Sequence, residues 1–379
     1  MHYKSKIVWW KPENIESFQN ILSGAKELYL DKGPTVITKF QLAGIIVRLI
    51  DAMLQSDDIN NIQTPEIPKS TAKDKYGFNQ KDIMNIIKSK TMQETIIKYR
   101  WIIQSVTNNK TGAFLLHRTS KLLLKKKKEN VTSYSDLRGI SIMPAILMVL
   151  DKLTINFIKN TINQFLNKNQ HGGHKGYNTN SAKLGILYQS LKNKYQYSLC
   201  LDLSKAFDKV DRNILEQIIE QSFEGTTKNI LKNTLEIYKY INIDINGEQI
   251  YPTRGIPQGS VYEPLMFEIY INDILTNIQS KFKEVHIQCF VDDIFIMSNT
   301  KNNLEKAFEV LHQMIINKKM DLNIEKCEYL SPEEEDTFID PITKNIIPKK
   351  DKVKYLGQVI NRDGTAADPL NAWTYGTIS

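Results

Sequence analysis

Apolar positions along this chain follow two different periods. Ile15, Phe18, Ile21, Leu22, Ala25 and Leu28 recur at helical spacing, as do Ile37, Phe40, Ile45, Leu49, Ile50 and Met53, so residues 1–55 are expected to form an amphipathic helical extension. Residues 56–80 are polar and carry Pro65 and Pro68, the composition of a linker or long loop. Helical spacing resumes with Ile83, Ile86, Ile87, Ile96 and Ile97. Further on the period shortens to two. Tyr197-Ser-Leu-Cys-Leu-Asp202 reads as a buried strand ending on an acid, and Ile287-Gln-Cys-Phe-Val-Asp292-Asp293-Ile-Phe-Ile-Met297 as a β-hairpin with two acids at its turn.

Apolar strands that end on carboxylates are unfavourable by several kcal/mol unless cations neutralise the charge. Carboxylates from separated segments that hold Mg2+ are the clamp of phosphoryl-transfer enzymes. Asp202, Asp292 and Asp293 are therefore the candidate catalytic and metal-binding residues. The bulk composition is that of a globular protein, with 41% hydrophobic residues and a mean hydropathy of −0.36. Fifty Lys and Arg against 42 Asp and Glu leave a net charge of +8, which favours polyanionic partners but equally suits an ordinary basic protein. Cys200, Cys289 and Cys327 are scattered singly, which argues against a disulfide framework or zinc spacing and for a reducing, intracellular setting. The start lacks a signal-peptide core. Arg48 and Asp51 interrupt the apolar stretch at 42–54, so no membrane partner is expected.

Between these landmarks lies Lys121-Leu-Leu-Leu-Lys125-Lys-Lys-Lys128, a basic run at the tip of a strand candidate. Such a run suits a solvated loop or a lysine-rich hairpin touching phosphates. The acidic run at 332–336 reads as a solvated turn. Around Asp202 the chain continues Asp202-Leu-Ser-Lys-Ala-Phe207-Asp208-Lys-Val-Asp211; later come Arg254-Gly-Ile-Pro-Gln-Gly-Ser260 and Phe-Val-Asp292-Asp293. In this order the segments resemble palm motifs A, B and C of reverse transcriptases of the non-LTR (LINE-type) retrotransposon family. Leu137-Arg-Gly-Ile-Ser141 resembles the fingers motif, Gln170-His-Gly-Gly-His-Lys-Gly-Tyr-Asn-Thr179 a second fingers block, and Lys354-Tyr-Leu-Gly357 the primer grip. The resemblance covers roughly residues 115 to 360.

The resemblance implies an α+β right-hand polymerase with fingers and palm, the palm an antiparallel sheet flanked by helices. On this reading residues 81–196 form the fingers region, 197–360 the palm, and 361–379 the start of a truncated thumb or a tail. It implies RNA-directed DNA synthesis on an RNA template from a DNA primer or nicked target DNA, with dNTPs as substrates. Asp202, Asp292 and Asp293 would hold two Mg2+ ions, with Mn2+ as a substitute. Phe207 would exclude a ribose 2′-hydroxyl; Arg138 would fork the triphosphate oxygens, with Lys125 a weaker candidate for the same task. Gln258 and Gly259 would let backbone approach the nascent base pair, and Lys354, Tyr355 and Gly357 would position the primer end. Asp208 and Asp211 read as helix caps. A nuclear enzyme is expected, with the cytoplasm as the alternative.

The match departs from the family at several points. Glu263 takes the cap position where the family has Ser; Ser260 and Glu263 have capping-box spacing, but Pro264 would then sit too deep in the helix. His174 and Tyr177 replace basic residues, which should weaken template contact. Gly139 replaces a proline and should loosen that turn. Val291 stands where alanine is common and should crowd the primer terminus. These departures keep open a decayed nucleic-acid-binding remnant. A group II intron-type maturase is a further alternative, whereas Val291 and Phe207 argue against an RNA-dependent RNA polymerase.

Overall fold

A computed structural model describes residues 9–33, 37–109, 115–127, 129–173, 176–362 and 365. Lys128, His174 and most of the expected tail at 361–379 lie outside the described residues. By its internal contacts the chain divides into two units, residues 1–161 with 207–263, and residues 162–206 with 264–379.

The first unit begins with helices α1 (Ile15–Tyr29) and α2 (Lys39–Leu54). Both start on capping boxes: Asn14 with Ser17, and Thr38 with Gln41. These reciprocal bonds satisfy N–H groups that the first turn leaves orphaned. Helices α3 (Gln80–Ile87) and α4 (Met92–Asn108) follow, then strands β1 (Thr119–Lys126) and β2 (Leu137–Ile142) and helix α5 (Ala145–Phe165), which continues into the second unit. After residue 207 come α7 (Arg212–Ser222), α8 (Gly225–Tyr240), β4 (Asn242–Ile245) and β5 (Glu248–Ile250). The sheet order is β2-β1-β4-β5, with β1 antiparallel to β2 and parallel to β4. Ile21, Ala25 and Tyr29 of α1 pack onto Leu122, Leu124, Ile243 and Ile250 of this sheet.

Two of the expected helical faces are narrower than their spacing suggests. Ile15 and Phe40 sit in the first turns of their helices and stay exposed, at 76% and 62%. The polar segment at 56–80 is anchored: buried Asp74 accepts from the Ala145 N–H (3.0 Å) and contacts His117 Nε2 (3.0 Å). Burial alone would raise its pKa, but these bonds hold the carboxyl below its ordinary value.

The second unit holds α6 (Thr179–Asn193), β3 (Tyr197–Leu201), α9 (Glu263–Lys281, its first residue in the other unit), β6 (Val285–Phe290), β7 (Asp293–Ser298) and α10 (Lys301–Asn317). Then come β8 (Glu328–Leu330) and two small ladders, β9 (Phe338–Ile339) with β10 (Ile346–Ile347) and β11 (Lys352–Tyr355) with β12 (Gln358–Asn361). Its main sheet runs β6-β7-β3-β8, antiparallel throughout. Ala182 and Ile186 of α6 pack against Phe295, Met297, Leu330 and Tyr355. Among the described residues no helix is long and apolar enough to cross a membrane.

Candidate active site

The acids gather at one end of the second unit's sheet. Strands β3 and β7 pair with Leu201 opposite Ile294, so the next positions outward are Asp202 and Asp293. Opposed residues in an antiparallel pair lie about 4.5–5.5 Å apart at Cα. Strands β6 and β7 close on the pair Phe290 and Asp293, leaving Val291 and Asp292 as a two-residue loop. The acids thus divide: Asp292 sits in the turn and Asp293 opens the strand. Partial desolvation, then the charges of Asp292 and Asp202, push the Asp293 carboxyl up to about 6. Asp202 has Lys326 Nζ at 3.8 Å, and its carbonyl accepts from the Asn323 N–H (2.8 Å).

Val291 adopts φ 56, a left-handed conformation unfavourable for a β-branched residue. One side chain holds it there. The Val291 N–H donates to Gln170 Oε1 (2.9 Å), while Gln170 Nε2 donates to the Val291 carbonyl (3.2 Å). The same Oε1 accepts from the Gly172 N–H (3.2 Å). The segment carrying Gln170 is stitched along β6: the His171 N–H donates to the Cys289 carbonyl and the Cys289 N–H to the Asn169 carbonyl, both at 2.8 Å. A Cβ on Gly172 would come within 2.5 Å of Val291 Cγ2, so only glycine fits there. The block expected to contact template therefore begins as a buttress for the acidic turn. Tyr177 lies against the His171 ring, 4.7 Å away.

Behind this buttress lies Glu268 of α9, fully buried, with neither carboxyl oxygen hydrogen-bonded among the described residues. Burial pushes its pKa up to about 8. Tyr355, expected at the primer, is buried edge-on against Phe295 with ring centroids 5.3 Å apart, and its hydroxyl reaches the Asp293 carbonyl at 3.4 Å. Lys354 on the same strand is exposed, and Leu356 and Gly357, both at positive φ, make the tight turn into β12.

The other candidates belong to the first unit. Lys125 and Arg138 are direct cross-strand partners on β1 and β2. Like charges placed opposite one another repel, a penalty that an anion between them would reverse. Gly139 is a strand residue, paired with Leu124. A Cβ there would press on Leu122 Cδ1 at 2.9 Å, so the expected loosened turn is instead a close-packing position. The Ser141 N–H donates to the Gln258 carbonyl (3.0 Å), and a Cβ on Gly259 (φ +102) would lie 2.5 Å from the Ser141 carbonyl oxygen. Gly259 thus permits a close backbone approach to β2. Phe207 is half-buried, and its carbonyl accepts from the Ile256 N–H (3.0 Å).

Beneath this turn lies a buried polar cluster. Tyr238 Oη (2.7 Å) and Ser260 Oγ (2.9 Å) both donate to Asp151. Burial raises the Asp151 pKa to about 7 against the opposing pull of those bonds. Asp211 caps α7, accepting from the Asn213 and Ile214 N–H groups. Asp208 does not: buried, it binds Tyr29 and Gln258. Glu263 is the first helical residue of α9 rather than its cap, and its carboxylate accepts from the Gly259 N–H (2.6 Å). Pro264 is then the second helical residue, where a missing N–H leaves no helical bond unmade.

Reverse transcriptases as a family use divalent metal ions. The donors here suit a hard cation: three carboxylates, of which Asp293 has its pKa raised by partial burial and then by the charges of the other two. Among the described residues no three acidic, histidine or cysteine side chains close into a preformed metal cage. Mg2+ ordinarily completes its octahedron with water and substrate phosphates rather than with an all-protein shell.

A mixed helix-and-sheet chain whose acid-tipped hairpin flanks an acid-ended strand has the architecture of an α+β polymerase. The family profile for "Reverse transcriptase (RNA-dependent DNA polymerase)" matches residues 124–360. The chain is 22% identical over 262 residues to the RNA-directed DNA polymerase from mobile element jockey of Drosophila melanogaster, covering 64% of this chain and 29% of that protein. It is 24% identical over 220 residues to the Pol polyprotein of a type-1 R2 retrotransposable element from Nasonia vitripennis, covering 51% of this chain and 21% of that one. Apo telomerase from Candida Tropicalis aligns at TM-score 0.49 and 11% identity, over 68% of this chain and 49% of that one. The chain belongs to the reverse transcriptase family, and it spans less than a third of the length of these two retroelement proteins.

Proposed function

We propose that this chain is the RNA-directed DNA polymerase of a non-LTR retrotransposon, extending a DNA primer or nicked target DNA with dNTPs on an RNA template. The observation that carries the reading is the register that sets Asp202 beside Asp293 with Asp292 in the adjoining turn. Two Mg2+ ions, or Mn2+ in their place, would be held by these three residues and would activate the primer hydroxyl and neutralise the triphosphate. Lys125 and Arg138, opposed on β1 and β2, bind the triphosphate. Phe207 rejects the ribose 2′-hydroxyl by bulk, and Gln258 with Gly259 orients the incoming nucleotide. Exposed Lys354 meets the primer backbone, while Tyr355 acts from beneath by holding the start of β7.

On this reading the sheet of the second unit is the palm, and β1 and β2 belong to the fingers. The enzyme works in the nucleus. Primer extension on an RNA template with Mg2+ and dNTPs tests the function. We expect product from the wild-type chain, reduced by several orders of magnitude in Asp292→Asn. RNA binding without any product would mark a decayed remnant and overturn the reading.

A further inference from the structure

Helix α1 ends inside the network that carries Gln258. Tyr29, the last residue of α1, is buried, and its hydroxyl donates to Asp208 Oδ1 at 2.8 Å. Gln258 Nε2 donates to the other oxygen, Asp208 Oδ2, at 3.2 Å. Tyr134 Oη lies 3.2 Å from Tyr29 Oη. With the Tyr29 proton committed to Asp208, Tyr134 is the donor of that bond. A carboxylate with a donor on each oxygen is fixed in plane and azimuth, so the Gln258 amide meets an acceptor whose direction Tyr29 sets. Burial, then the neighbouring Asp208 charge, raises the Tyr29 pKa well above its ordinary value, which keeps the hydroxyl a donor.

Backbone contacts bring the same pieces together. The Thr253 N–H donates to the Tyr29 carbonyl (3.1 Å), Thr253 Oγ1 to the Leu30 carbonyl (3.1 Å), and Arg254 Nε to the Leu28 carbonyl (2.6 Å). The Tyr251 N–H donates to Asp31 Oδ1 (2.9 Å). Further along the same segment, the Gly255 N–H donates to the Val210 carbonyl (2.8 Å) and the Ile256 N–H to that of Phe207 (3.0 Å). Gly255, at φ +83, lies so close that a Cβ would be 2.8 Å from the Asp208 carbonyl oxygen. The segment that bears Phe207 and the segment that bears Gln258 are therefore clamped to each other and tied to the end of α1.

We propose that Tyr29 is a positioning residue for nucleotide binding, orienting the Gln258 amide through Asp208, so that helix α1 is a working part of the nucleotide site. This rests on the polymerase reading for what Gln258 does, but the link itself has a separate readout. Tyr29→Phe removes the hydroxyl and keeps the ring, and Thr253→Ala removes a different bond between the same segments. Hydrogen exchange of the Gly255 and Ile256 amides should rise about tenfold in Tyr29→Phe and stay at the wild-type rate in Thr253→Ala. In primer extension, Tyr29→Phe should raise the apparent KM for dNTP about tenfold with kcat within about twofold, and Thr253→Ala should leave both unchanged. Unchanged exchange in Tyr29→Phe overturns the proposal, as does an equal effect of Thr253→Ala. Raised exchange with an unchanged KM in an active enzyme overturns it too. If the wild-type chain makes no product while exchange rises only in Tyr29→Phe, the link stands and the polymerase reading fails.

Discussion

Replacing Gln170 by alanine should disable this protein out of proportion to its loss of stability. The amide makes three bonds at once, accepting from the Val291 and Gly172 N–H groups and donating to the Val291 carbonyl, at 2.9–3.2 Å. At about 0.5–1.5 kcal/mol each, their loss should destabilise the fold by about 2–4 kcal/mol. Those bonds also oppose about 1–2 kcal/mol of backbone strain at Val291, whose φ is 56. Once they are gone, the cheapest relaxation carries Val291 back toward the β region and swings Asp292 with it. A displacement of about 1 Å at a reacting centre can lower a rate about a hundredfold. Urea unfolding gives the first quantity and single-turnover primer extension the second, with RNA affinity expected to hold within about threefold. Adding Val291→Gly should restore much of the rate, because glycine adopts the left-handed turn without strain. A Gln170→Ala chain extending within about threefold of wild type would refute the reasoning, and so would a slow one that Val291→Gly fails to help.

Two further outcomes follow from buried groups. Glu268 carries a pKa of about 8 against an ordinary 4.5. Between those values the folded state binds more protons than the unfolded one, so stability falls as pH rises through that window. Glu268→Gln should be near neutral at pH 5 and stabilising at pH 8.5, with a ceiling of about 5 kcal/mol; urea unfolding that shows a pH-independent difference would refute this. Phe207→Val should admit ribonucleotides by removing the bulk assigned to it, and unchanged rejection of rNTPs in extension assays would remove that assignment.

Much of this arrangement could be read from residue order. Period-two runs that end on acids mark β3 and the β6–β7 hairpin because pleated strands alternate faces and a carboxylate rarely ends a buried strand without purpose. What escaped is set by contacts between distant segments. Gln170 lies 121 residues from Val291, and nothing in its own neighbourhood reveals the bracket. Asp208 and Asp211 looked alike beside the same helix; only Asp211 reaches the free N–H groups, while Asp208 is claimed by Tyr29 and Gln258. Gly139 shows no local sign of its role, because its constraint is the Leu122 side chain on the facing strand. Glu268 did leave a signal, a lone acid amid Met266, Phe267, Ile269 and Tyr270. In a helix buried all round, such a charge has no solvent face to occupy.

On the proposed reading, Asp202, Asp292 and Asp293 serve as one divalent-cation site. Anomalous scattering from Mn2+ in crystals of the chain with RNA template, DNA primer and a non-hydrolysable dNTP tests it directly. Two peaks are expected at coordination distance, about 2 Å, from carboxylate oxygens of Asp202 and of the Asp292–Asp293 turn. Peaks placed elsewhere, or none at these acids with the nucleotide bound, would contradict it.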